Sequence, residues 1–101
     1  MITERTEYWA VEGKAAAVLE TRCRANAVRL ALGLKAGVIR LAREGGGPDV
    51  TWQCDFADAD EHAADQKARD DSAAFGDVRA TMAGLVTRFE RLVEEQAPAL
   101  A

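Results

Sequence analysis

Val86-Thr87-Arg88-Phe89-Glu90-Arg91-Leu92-Val93-Glu94-Glu95 is the stretch whose reading decides the architecture. Phe89, Arg91 and Val93 fall on one side of it; Arg88, Glu90, Leu92 and Glu94 fall on the other. A period of two reads as a strand. The rival reading is a helix that starts earlier and continues to Glu95. As a strand, the segment is the fourth of the chain and completes a sheet. As a helix, it leaves three strands and no complete second sheet face.

Moving toward the N-terminus, Ser72 is placed to cap a helical segment with Phe75, Val78, Met82 and Leu85 on one stripe. Before it lies an acidic helix running to about Asp70, where Asp58 followed by Glu61 resembles a capping box. Asp49–Phe56 has the clearest alternation in the chain, with Val50, Trp52, Cys54 and Phe56 on one face. Val38–Glu44 reads as another strand, joined to it through Gly45-Gly46-Gly47-Pro48, a connection short enough for a hairpin. A helix is expected over residues 14–32, with Ala16, Leu19, Cys23, Ala27 and Leu30 as its buried stripe. Glu20, Arg22 and Arg29 fall largely outside that stripe and read as solvated. Ile2–Ala10, rich in β-branched and aromatic residues, reads as the first strand.

The order predicts an α+β, ferredoxin-like βαββαβ domain over residues 1–95, with a flexible C-terminal tail at 96–101. Its four-stranded antiparallel sheet would carry helices on one face, and the other face would need cover. At 49% hydrophobic and 30% charged, the 101 residues suit one globular domain. Much of the apolar share is alanine, which makes for a thin core and points to a homodimer.

Charge is uneven: residues 1–48 hold 8 Lys/Arg against 5 Asp/Glu, and residues 49–101 hold 5 against 12. An acidic chain argues against nucleic-acid and anionic-membrane partners, which select basic surfaces. No apolar run approaches a bilayer span, and Met1–Ala10 lacks the basic and apolar regions of a signal peptide. Cys23 and Cys54 are far apart and read as buried small hydrophobes in a reducing, cytoplasmic setting. His62, the one histidine, reads as a solvent-facing helix residue, so no metal site is expected. Phosphate-cradling glycine motifs and a nucleophile elbow are missing, and no catalytic residue is assigned.

The short first strand followed by Gly13-Lys14 and a long helix resembles the dimeric α/β-barrel superfamily. So do Val50-Thr51-Trp52-Gln53-Cys54-Asp55-Phe56 leading into an acidic helix, and Asp71-Ser72-Ala73-Ala74-Phe75 before the last strand. The NIPSNAP-like and small monooxygenase-like branches are nearest. The resemblance implies two sheets facing one another in a dimer, with any site between a sheet and its helices or inside the barrel. It also implies activity without a tightly bound cofactor, as in the superfamily's monooxygenases and isomerases. Haem-degrading members carry an Asn, a Trp and a His at positions matched here by Thr6, Arg69 and Arg79, and none of these is the required type.

The strand polar residues Arg5, Glu7, Arg40, Gln53, Arg88 and Glu90 are candidates to point between two sheets. A ligand pocket is sought first at Arg5, Glu7 and Gln53, with Trp52 nearby. Two readings follow. One is a dimeric barrel protein that binds a small, partly apolar molecule, with cofactor-independent oxygenation or isomerisation as its chemistry. The other is a non-catalytic dimerisation or interaction module. A cavity of roughly 300 Å3 or more with convergent polar groups favours the first.

Overall fold

β1 spans Ile2–Ala10, and its side chains alternate between two environments. Ile2, Glu4, Thr6 and Tyr8 are buried, whereas Thr3, Arg5, Glu7 and Trp9 are half-buried. In the computed structural model, which describes residues 1–99, β1 is one of the two central strands of a four-stranded antiparallel sheet. β2 (Val38–Leu41), β3 (Val50–Phe56) and β4 (Val86–Glu95) complete it in the order β2-β3-β1-β4. Residues 86–95 are therefore a strand, paired antiparallel with β1 from Ile2↔Glu95 to Trp9↔Arg88. A register shift between Trp9 and Ala10 then leaves Thr87 as the extra residue of a bulge.

Three helices cover one face: α1 (Ala15–Ala31), α2 (Ala59–Asp70) and α3 (Ala73–Ala83). Both predicted caps form. Asp58 Oδ1 accepts from the Glu61 N–H at 2.9 Å, and Glu61 reaches back to the Ala57 N–H; Ser72 Oγ accepts from the Phe75 N–H at 3.1 Å. The second crossover is thus two short helices broken at Asp71-Ser72. The result is a two-layer slab, 17 Å along its thinnest axis, with the far side of the sheet uncovered in the single chain.

Several expectations need correction. α1 turns a different stripe inward: Val18, Thr21, Arg22, Ala25 and Arg29 are buried, while Cys23, Ala27 and Leu30 are exposed. Arg22 and Arg29 are therefore interior residues. Of the two cysteines only Cys54 is buried. β2 stops at Leu41 and leaves residues 42–44 to the glycine-rich loop. Of the expected tail, residues 96–99 have no regular structure, and 100–101 lie outside the described residues. Among the described residues no helix is long and apolar enough to cross a membrane.

The apolar core is divided. Ile2, Val18, Val50, Trp52, Phe56 and Met82 belong to one cluster, which also takes in Tyr8 and Cys54; Ala25, Phe75 and Val78 form a second. The space between the two clusters is the site described next.

Candidate functional site

A cavity of about 430 Å3 lies between the covered face of the sheet and the helices. Tyr8 and Trp52 from one core cluster and Phe75 and Val78 from the other form opposing walls. Its mouth opens between α3 and β4, where the lining residues Arg79, Ala83, Phe89 and Arg91 are exposed. A largely apolar hollow with a few polar groups at one end is the usual form of a small-molecule site.

Chain geometry explains the walls. β3 presents Val50, Trp52, Cys54 and Phe56 inward because side chains alternate, and Trp52 pairs with Thr6 across β1. The Trp52 indole N–H donates to the Ala36 carbonyl at 2.8 Å, which fixes the ring's orientation. The chain can approach that closely only because residue 37 is glycine. Gly37 has φ +77°, and a Cβ there would lie 2.5 Å from Trp52 Nε1 and 2.8 Å from the Gln53 carbonyl.

Arg22, Arg69, Arg79 and Arg91 line the cavity, and Arg29 is buried beside Trp52 outside the lining. Arg22 and Arg29 hold their guanidinium groups 4.5 and 4.8 Å from the centre of the Trp52 ring. Arg29 is fully buried and bidentate to Asp65, at 3.0 and 2.7 Å, and donates from Nε to the Lys35 carbonyl at 2.6 Å. Arg69 is bidentate to Glu4, at 2.8 Å for each bond. Its Nε lies 2.9 Å from Asp65 Oδ1 without the alignment of a hydrogen bond.

Glu4 also accepts from Arg91 at 3.1 Å and pairs with His62 Nε2 at 2.8 Å. Burial alone would raise the Glu4 pKa. The hydrogen bonds from Arg69, Arg91 and His62 outweigh it and hold the carboxyl at about 2. His62, expected in solvent, is thus drawn inward against Glu4 and the Phe56 ring. The Cys54 thiol, beside Arg29, is pushed up by burial, so it is a poor nucleophile. Among the described residues no cluster of three or more His, Cys, Asp or Glu side chains is arranged to hold a metal ion.

The sequence candidates are split by the sheet. Trp52 lines the cavity. Arg5, Glu7 and Gln53 point to the opposite, open face, where Arg5 pairs with Glu94 at 3.2 Å. Arg40, Arg88 and Glu90 share that open face by register. Thr6, Arg69 and Arg79, named earlier only because they match other residue types in haem-degrading relatives, all line the cavity. Arg22 and Glu4, which also line the cavity, were not among the candidates. The available signal was Glu4 itself, a carboxylate on the strand face that also carries Ile2, Thr6 and Tyr8.

No protein-family description and no curated protein matches the sequence. Solved structures do match in shape. A NIPSNAP domain protein from Burkholderia xenovorans superposes over 100% of this chain and 99% of its own, with a TM-score of 0.75 at 13% identity. A provisionally described antibiotic biosynthesis monooxygenase from Nitrosomonas europaea matches over 95% and 98%, with a TM-score of 0.72 at 12% identity. A dimeric protein of unknown function and ferredoxin-like fold from Bacteroides fragilis matches over 94% and 95%, with a TM-score of 0.71 at 11% identity. The chain therefore has the ferredoxin-like fold found in NIPSNAP-domain and antibiotic-monooxygenase-like proteins.

Proposed function

We propose that this chain binds a small, partly apolar molecule in the cavity between the sheet and α3. The observation that carries the reading is a hollow of about 430 Å3 bordered by both core clusters and lined by Arg22, Arg69, Arg79 and Arg91. A chain of this size with so much alanine has little apolar surface to spare, and filling the space with larger side chains would stabilise it. Keeping it open is a cost that ligand binding explains.

Binding is better supported than turnover. Glu4 is the one carboxylate among the described lining residues, and at a pKa of about 2 it is a weak proton acceptor. Cofactor-independent oxygenation or isomerisation, the chemistry of the superfamily that the sequence resembles, would have to rely on the bound molecule's own reactivity and on Tyr8 and Arg22.

The same reading takes the protein as a cytoplasmic homodimer joined through the open sheet face. Arg5, Glu7 and Gln53 would then sit between two sheets as interface groups. Support comes from the uncovered face of a thin slab and from the B. fragilis protein of like fold, which is described as dimeric. Light scattering at micromolar concentration should return twice the chain mass; a monomer would contradict this part.

Crystals soaked in millimolar 2-naphthamide, a neutral flat probe, test the cavity. Density is expected against Val78 and Met82. A cavity that stays empty, or density confined to the open sheet face, would contradict the reading.

A further inference from the structure

Resting on the reading that this cavity binds a ligand, we propose that the ligand is a small carboxylate on a flat apolar body, with Arg22 as the group that anchors it. The argument begins with how the buried arginines are matched. Arg29 is neutralised by Asp65, and Arg69 by Glu4, each through two parallel hydrogen bonds. Arg22 is as buried as they are, at 5% exposure, yet its partners are neutral. It donates to the Tyr8 hydroxyl oxygen at 3.2 Å and to Asn26 Oδ1 at 3.1 Å, and its Nε–H has no acceptor among the described residues. Among the described residues no carboxylate is within ion-pairing distance of it. A buried charge left without a counter-charge is strongly unfavourable. Burial lowers the Arg22 pKa, and the nearby positive charges of Arg29 and Arg69 act in the same direction.

The surroundings add to this demand for an anion. Arg22, Arg29, Arg69, Arg79 and Arg91 stand against Glu4, Asp65 and Asp70, an excess of two positive charges before His62 is counted. The chain as a whole carries −4. The cavity is thus a local positive region on an acidic protein, and such a region gathers anions.

The chemistry selects among anions. Among the described residues only one interior cation is unmatched, because Arg91 is part-exposed and already engaged by Glu4 and Gln66. A monoanion suits this better than a phosphate dianion. The Tyr8 oxygen accepts from Arg22, and its own O–H has no protein acceptor among the described residues. Arg22 and Tyr8 therefore offer adjacent donors for the two oxygens of a carboxylate. Trp52, whose ring centre lies 4.5 Å from the Arg22 guanidinium, lines the same cavity as Phe75, Val78 and Met82, and together they would hold an apolar body beside the charge.

Calorimetric titration with the isosteric pair 2-naphthoate and 2-naphthamide, at pH 7 and up to millimolar concentration, tests the proposal. The unmodified protein should prefer the acid by about tenfold or more, the scale of one charge-assisted contact. Arg22→Met keeps the length and removes the charge, so it should bring the two affinities to within about threefold and leave the amide affinity nearly unchanged. Tyr8→Phe, which preserves the ring, should weaken the acid alone by a few fold and serves if Arg22→Met fails to fold. Equal binding of acid and amide by the unmodified protein would overturn the carboxylate assignment and leave the cavity reading standing. An acid preference that survives both substitutions would overturn Arg22 as the anchor. Failure of both probes to bind would overturn the cavity reading itself, and this proposal with it.

Discussion

The two faces of the sheet carry similar side chains under opposite rules. On the open face, Arg5 meets Glu94 at 3.2 Å with 35% and 56% of the two side chains exposed, so water screens the pair. Under the helices on the covered side, Arg29 of α1 meets Asp65 of α2 at 2.7 Å with 0% and 5% exposed. There, each charge needs a partner in place of its lost hydration. The same residue types are nearly free to vary on one side and tightly constrained on the other. What differs is access to water.

The contrast breaks most visibly at Asp65. Asp65→Ala would strand the buried Arg29 and should destabilise the protein by about 3–5 kcal/mol in urea unfolding. A loss under 1 kcal/mol would show that Arg29 finds water in the native state.

Acid titration sharpens the comparison on the same covered face. The Glu4 pKa is about 2 when folded against 4.5 for an ordinary glutamate, so its ionised form favours folding. That contribution is fully present above the unfolded value and is lost as pH falls from about 5 to about 2. It should amount to about 2–3 kcal/mol, allowing for screening of the part-exposed Arg91 contact. Glu4→Gln should be less stable at pH 7 and should show a flatter decline over that window. Parallel curves for the two proteins would contradict the assignment.

Gly37→Ala tests the backbone that holds the Trp52 wall. Its Cβ would meet the indole and the Gln53 carbonyl, and the residue would be held at a positive φ. A loss of about 2–3 kcal/mol is expected, with a shift of the Trp52 indole resonance. The smallest effect belongs to the open face: Arg5→Ala should change the stability of the isolated chain by less than about 1 kcal/mol.

The order of elements was legible in the sequence, because strand alternation survives at β1, β3 and β4 and because Asp58 and Ser72 mark their helix starts. Even the decisive segment 86–95 kept its period. The inward face of α1 was not legible. Alanines surround the helix, so no apolar stripe stands out, and the true stripe carries Thr21, Arg22 and Arg29, which read as solvent residues. What makes them interior is Asp65 for Arg29 and the Tyr8 hydroxyl for Arg22, groups brought together only by the fold. The buried side of β1 was no easier to read: Arg5 and Glu7 were the candidates there, and Glu4, one position before Arg5, is the buried carboxylate.

The two tryptophans place a reporter on each face, Trp52 in the cavity wall and Trp9 under Arg88 on the open side. Nitrogen-15 spectra of the two indole N–H groups, recorded on dilution and then on addition of 2-naphthamide, test the division of labour directly. The account predicts that Trp9 moves on dilution while Trp52 holds, and that Trp52 moves with the probe while Trp9 holds. A probe response at Trp9 with none at Trp52 would contradict it.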